Sequence, residues 1–167
     1  MLAGIHRYLS EDSIILDLDD RLEPPEADVW SSKILKEFKT RVLSVMVQQL
    51  NHTDKIVNPT KCLKNLAHRE FKASTTMGQQ LAMPHVRTLQ ARSLVIGLMR
   101  SDQGVFFDGP EENPVRLFVV SICPPYEDRL YLEFLSVFSR AVKERDIIRQ
   151  LLQAEGVQDL MGIMCRS

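Results

Sequence analysis

A mixed β-sheet flanked by helices on both faces is the α/β fold class that this sequence predicts, and three observations lead to it. Apolar residues recur at three- and four-residue spacing over 28–50 and again after residue 130, the stripe of a helix that buries one side. Residues 115–122 read Val-Arg-Leu-Phe-Val-Val-Ser-Ile, too apolar for a half-exposed edge, so this strand belongs in the middle of a sheet. Helical patterns precede, separate and follow the strand patterns, and an α/β sandwich accommodates that order. With no internal repeat and no low-complexity linker, residues 1–167 read as a single domain with room for one sizeable core.

In chain order, Ile-Ile-Leu-Asp-Leu-Asp at 14–19 alternates after its first residues and reads as a short strand, broken by the acidic, proline-containing run 19–26. Val29, Trp30, Ile34, Phe38, Val42, Val45, Met46 and Leu50 then place a helix over about 28–50. Asn58 before Pro59 starts a second helix, because Asn accepts from the first free N–H groups and Pro lacks a donor that would have no partner there. Cys62, Leu63, Leu66 and Ala67 give it a buried side, with Arg69 near its end. Strands are expected at 81–83, 93–99 and 115–122, the last fed by a loop marked by Asp108-Gly109-Pro110 and Asn113-Pro114. Beyond Pro124-Pro125, Leu130, Phe134, Val137, Phe138 and Ala141 share one face of a long helix. Ile147, Ile148, Leu151 and Leu152 continue a helical pattern, and a short helix over 157–164 closes the chain.

Charge and cysteine content exclude several classes. Twenty-one Lys and Arg stand against 22 Asp and Glu, a net charge of -1, so a general polyanion binder is not indicated and nucleic acid is not an expected partner. Cys62, Cys123 and Cys165 show no CxxC spacing, which argues against both a disulfide framework and a zinc site and for reduced thiols in a cytoplasm. No charged leader precedes an apolar run, and no stretch approaches the roughly 18 apolar residues of a spanning helix. A soluble, cytoplasmic protein with no direct membrane insertion is the expectation. A Gly-rich loop followed by Lys and Ser or Thr is absent, so nucleotide-dependent kinase chemistry has no support.

Residues 69–87, Arg-Glu-Phe-Lys-Ala-Ser-Thr-Thr-Met-Gly-Gln-Gln-Leu-Ala-Met-Pro-His-Val-Arg, hold the densest set of groups able to do chemistry. Histidine can accept a phosphoryl group because one ring nitrogen carries a lone pair near neutral pH while a hydrogen bond holds the other. Pro84 fixes its own φ and restricts Met83, so His85 is presented from a stiff support. Ser74, Thr75 and Thr76 offer short neutral donors, and Gly78 allows a tight turn or exposes backbone N–H groups to an anion. Arg69 and Arg87 can supply charge-assisted bonds to phosphate, each worth roughly 1.5–3 kcal/mol. From the residues alone, two readings of His85 stay open: phosphoacceptor, or a strand-end ring bonded to the backbone.

The segment Ser74-Thr75-Thr76-Met77-Gly78-Gln79-Gln80-Leu81-Ala82-Met83-Pro84-His85 resembles the Ser-Thr-Gly-Ile-Gly-x-Gly-Ile-Ala-Ile-Pro-His signature of the fructose/mannitol-type enzyme IIA domains of the bacterial phosphoenolpyruvate-dependent phosphotransferase system, including the nitrogen-regulatory branch. An opening like Leu9-Ser10-Glu11-Asp12-Ser13-Ile14, the pair Arg69-Glu70, the approach from Gly109 to Leu117 and the Leu-rich helix after it follow the family's order. The resemblance implies an α/β sandwich that accepts a phosphoryl group on His85 from the phosphocarrier HPr or its nitrogen-branch relative. It would then pass the group to a cysteine of an enzyme IIB domain or bind a regulatory target according to phosphorylation state. It implies Arg69 at the active site and no metal or organic cofactor.

Departures matter as much as matches. Where many members carry a second histidine four residues before a leucine, this chain has Tyr131 before Leu135; its hydroxyl can donate a hydrogen bond but its ring cannot carry a second charge. Tyr131 also fits a packing stripe with Leu135 and Phe138. Thr76 and Gln80 stand in place of glycines, which puts the loop's shape in question because non-glycine residues tolerate positive φ poorly. Arg69 has the alternative of a charge at its helix's C-terminal end, and Glu70 that of orienting Arg69 or His85 or of a solvated helix-end charge. His6, His52 and His68 read as surface or local hydrogen-bonding residues, with His68 notable for adjoining Arg69, and Asp17, Asp19 and Asp20 as a solubilising acidic opening. A phosphotransfer enzyme and a non-catalytic protein-binding module that keeps the same fold therefore remain two functional readings.

Overall fold

The first two α-helix starts are capped by side chains in the computed structural model, which describes residues 4–144 and 146–166. Helix α1 spans Ser32–Asn51, with the Ser31 hydroxyl accepting from the Ile34 N–H at 3.2 Å. It begins four residues later than the apolar spacing suggests. Trp30 lies before the cap and packs edge-on against Phe38 at 5.1 Å, while Val29 is 82% exposed. Helix α2, Pro59–Lys72, is capped by Asn58, whose side chain accepts from Lys61 N–H at 3.0 Å. Helices α3 (Asp128–Glu144), α4 (Ile147–Gln153) and α5 (Val157–Arg166) end the described chain.

Six strands form one mixed sheet: β1 (Ile14–Ile15), β2 (Thr76–Gly78), β3 (Leu81–Ala82), β4 (His85–Arg87), β5 (Val95–Val105) and β6 (Val115–Cys123). Their order is β1-β5-β6-β3-β2, and β4 continues beside β6 beyond the end of β3. Strands β5 and β6 are antiparallel, whereas β3 and β4 run parallel to β6 and β1 runs parallel to β5. Strand β6 is central, as its sequence predicts. Leu117, Val119 and Cys123 face a core covered by α3, α4 and α5, and Phe118, Val120 and Ile122 face a second core beneath α1 and α2. Two cores on opposite faces replace the single core expected, because a strand buried on both sides needs a helical layer on each.

The differences from the sequence reading are local and have visible causes. The first strand stops at Ile15, and Leu18–Arg21 turns into a 3₁₀ helix. That turn carries the Asp19 carboxylate to β5, where it accepts from the Ser101 hydroxyl and from the N–H groups of Asp102 (3.0 Å) and Gln103 (3.1 Å). Polar residues 100–103 thus stay in strand, and β5 runs on to Val105 rather than ending at Met99. Asp19 is a structural acceptor as well as a solubilising charge. Among the described residues no helix is long and apolar enough to cross a membrane.

Candidate functional site

Pro84 interrupts the strand that would otherwise join β3 to β4, and hydrogen bonds on both sides hold the break. Met83 N–H donates to Thr75 O at 3.0 Å, and Ser121 N–H donates to Pro84 O at 3.1 Å. His85 resumes pairing opposite Ser121, so its ring leaves a backbone fixed from two neighbours. Its Nδ1 lies 2.7 Å from Met83 O. A carbonyl only accepts, so Nδ1 carries the proton and Nε2 the lone pair. Arg69 Nη2, which only donates, meets that lone pair at 3.3 Å. Burial, with Arg69 and Arg87 adding to it, pushes the His85 pKa below its ordinary 6.5; the Met83 bond and Glu70 oppose this without reversing it. The ring is neutral at physiological pH.

Arg69 serves as the helix-end charge and also reaches His85. Its Nη1 donates to Ala73 O at 2.9 Å, closing the C-terminal end of α2, while Nη2 reaches His85. Tyr131 lies across the imidazole, ring centroids 5.9 Å apart at 49°. This is a contact of ring against ring, with the phenol, 4% exposed, held protonated by burial that lifts its pKa to about 12. The Arg87 guanidinium sits 5.8 Å over the Tyr131 ring and pairs with Asp128 at 3.0 Å.

Two open depressions meet at the His85–Arg69 pair. One, of about 600 Å³, is lined by His68, Arg69, Lys72, Arg87, Leu89 and Tyr131 among others and is rich in positive charge. The other, about 280 Å³, is lined by Ser74, Thr75, Thr76, Met77 and Leu135. His68 is exposed at the first, as is Leu89 at 71%. The His52 side chain is exposed away from both, and that of His6 lies outside the described residues.

The hydroxyl cluster is near His85, but its protons are already given to carboxylates. Ser74 Oγ donates to Asp108 at 2.7 Å, and Thr75 donates to Glu70 through Oγ1 at 2.6 Å and N–H at 3.0 Å. Thr76 bonds Asp108 as well. Glu70, 2% exposed, therefore pins the loop after α2 rather than orienting Arg69 or His85 directly. Lys39 of α1, 6% exposed, bridges Glu70 (3.1 Å) and Asp108 (2.7 Å) and lies 4.4 Å over the Phe107 ring. Sequence reading missed Lys39 and Asp108, which lie 69 residues apart with no local pattern to join them.

Gly78 lies further off, as the last residue of β2, and lines neither depression beside His85. Gly78, Gln79 and Gln80 take φ of 75°, 53° and 64° in succession. Gln80 thus keeps the left-handed shape expected of a glycine there, at a steric cost of roughly 1–2 kcal/mol, and Gln79 shares it. Thr76 lies in strand without positive φ and carries no such strain.

The fold agrees with comparison to known proteins. A family model described as phosphoenolpyruvate-dependent sugar phosphotransferase system, EIIA 2, matches residues 32–166. The chain belongs to this type-2 EIIA family of the phosphotransferase system. The fructose-specific EIIA component of Haloferax volcanii is 28% identical over 102 residues, covering 61% of this chain, which spans 66% of that protein's length. Nitrogen regulatory protein IIA-Ntr from Neisseria meningitidis superposes with a TM-score of 0.75 at 22% identity, over 97% of this chain and 99% of that one. Enzyme IIAMTL from Escherichia coli, solved in complex with phosphorylated enzyme IIBMTL, gives a TM-score of 0.68 at 15% identity, over 95% and 97%. These neighbours share the α/β fold.

Proposed function

We propose that this protein is a phosphocarrier whose His85 Nε2 accepts a phosphoryl group from HPr or a nitrogen-branch HPr and passes it to an enzyme IIB domain or uses it for regulation. One observation carries the reading: the 2.7 Å bond from Nδ1–H to Met83 O, which directs the lone pair on Nε2 toward the two depressions and Arg69. The Nε2 lone pair forms the new N–P bond while the N–P bond to the donor imidazole breaks, its electron pair returning to the donor nitrogen. Nδ1 keeps its proton, so the phosphorylated ring is cationic, and Met83 O stabilises it. Arg69 Nη2 turns from Nε2 to a phosphate oxygen as charge moves onto the transferring group. Tyr131 steadies the ring by contact, and Arg87 contributes positive charge at the rim of the larger depression. Enzyme IIAMTL is known with phosphorylated enzyme IIBMTL, which supports a IIB domain as the acceptor here.

Incubation with phosphoenolpyruvate, enzyme I and HPr tests this by intact mass. One acid-labile, base-stable phosphoryl adduct is expected, absent in His85→Ala; no adduct with any cognate carrier would leave the protein-binding module as the function. The rate of acceptance should be flat through neutral pH and fall as pH drops below 6.5, because protonation of Nε2 removes the nucleophile and burial lowers the His85 pKa from its ordinary 6.5. Tyr131→Phe keeps the ring contact and should leave the rate within about threefold, under 1 kcal/mol of barrier. A larger loss in a stopped-flow or quench assay would give the hydroxyl a direct part.

A further inference from the structure

A third depression, of about 410 Å³, opens at the other end of the β3–β6 pair, where Arg116, Arg149, Asp146, Gln79, Gln80 and Gln153 line it. Arg116 precedes Leu117, the partner of Leu81, whereas His85 pairs with Ser121. Five residues of strand put the two places about 16 Å apart. Asp146 is taken by an ion pair with Arg149. Arg116 has no such partner: among the described residues its guanidinium makes no hydrogen bond or ion pair, and its Nε is shut off from solvent. With Nε enclosed, the Nη donors of this unpaired fork are left for a ligand in the depression, and an oxyanion is the group a guanidinium binds best.

A second observation converges on the same place. Gln79 and Gln80 hold left-handed backbone, φ 53° and 64°, in a turn where glycine would sit without strain, and both residues line this depression. The Gln80 carbonyl also accepts from the N–H groups of Arg116 (2.9 Å) and Leu117 (3.0 Å), fixing the turn against the base of the arginine. Strain kept against a simple remedy marks a place where the side chain has a use. We infer that Arg116, with the carboxamides of Gln79 and Gln80, forms a binding site for a small oxyanion, a carboxylate or phosphate, separate from His85, in a depression also lined by Arg149, whose Nε is paired with Asp146. The charged fork takes the anion and the carboxamides, which both donate and accept, take its neutral hydrogen-bonding part.

The test is a titration of the whole chain, in separate experiments with succinate and with inorganic phosphate, followed by the ¹⁵N-resolved Nε–H resonance of Arg116. That signal reports this site and not the His85 face, so it stands or falls independently of phosphotransfer. A saturable shift with half-saturation near or below about 1 mM is expected for one of the two anions, with the backbone amides of Gln79 and Gln80 moving in parallel; the responding anion identifies the chemistry. Arg116→Gln should weaken binding by about tenfold or more. Gln80→Gly, which relieves the turn, should weaken it severalfold while raising the melting temperature, and this guards against an Arg116 variant that fails to fold. Silence of the Arg116 signal to both anions at tens of millimolar, or unchanged affinity in both variants, would overturn the site.

Discussion

Arg69→Ala should lower the rate of phosphoryl acceptance by about 100-fold, the size found when one preorganised donor to a developing oxyanion is removed. The guanidinium already lies 3.3 Å from Nε2, so it needs only to turn its Nη2 toward an oxygen of the incoming group. It is held for that role by its other arm, bonded to Ala73 O at 2.9 Å, which spares it the entropy of being positioned afresh at each turnover. Two effects oppose each other in the variant. Loss of a nearby positive charge raises the His85 pKa and makes the imidazole somewhat more basic, while loss of the donor leaves the phosphoryl oxygens without their closest cation. The second dominates, because basicity changes a ground state whereas the missing donor acts on charge that appears in the transition state. Arg69→Lys should recover only part of the rate, since an ammonium supplies charge but not the two-armed fork that caps α2 and reaches His85 together. Single-turnover kinetics with phosphorylated HPr decides this. An Arg69→Ala rate within threefold of the unaltered protein would remove Arg69 from the phosphate site and leave it as a helix-end charge.

What the sequence made legible was what short-range chemistry determines. Asn58-Pro59 starts α2 because its capping is decided within four residues, and β6 is central because its two apolar faces leave it no exposed place. His85 stood out because Pro84 before it fixes its own φ and restricts Met83. The Met83 carbonyl that fixes its tautomer sits two residues away, and only the bend at Pro84, locked by β6, brings it under the ring. The hydroxyls of Ser74 and Thr75 show the limit of residue type as a guide: they are the kind of donors an anion needs, yet their protons are given to Asp108 and Glu70. That competition is set by Lys39 and Asp108, brought in from α1 and the loop before β6, and nothing local to residues 74–76 announces it. The Gln79-Gln80 turn is the converse case, in which strand pairing on both sides overrode the propensity of the residues.

Glu70→Ala should carry the largest stability loss in the molecule's polar interior, about 3–5 kcal/mol. Glu70 is buried with Lys39, and it accepts from the N–H and hydroxyl of Thr75 besides the ammonium. Its removal leaves a buried amide without an acceptor and halves the negative charge around Lys39, each of which costs more than the intact bond contributes. Lys39→Met in the same chain should restore part of the loss, since the surviving ammonium is then gone, and the double variant should be less destabilised than the sum of the singles. Urea unfolding measures all three; strict additivity would show that the charges do not act as one network. The acid side gives a second signature. Burial alone would raise the Asp108 pKa, but hydrogen bonds from Lys39, Thr76 and Ser74 outweigh it and hold the carboxyl below its ordinary 3.8. A depressed carboxylate contributes stability above its unfolded value and loses it as pH falls through the folded one, so the unaltered protein should lose stability below about pH 4. Asp108→Asn should be less stable at neutral pH and show a shallower acid decline, because it has no proton to take up. The same network holds the Ser74–Thr76 loop beside His85, so Glu70→Ala, in the fraction that remains folded, should also slow phosphoryl acceptance by loosening one wall of the smaller depression.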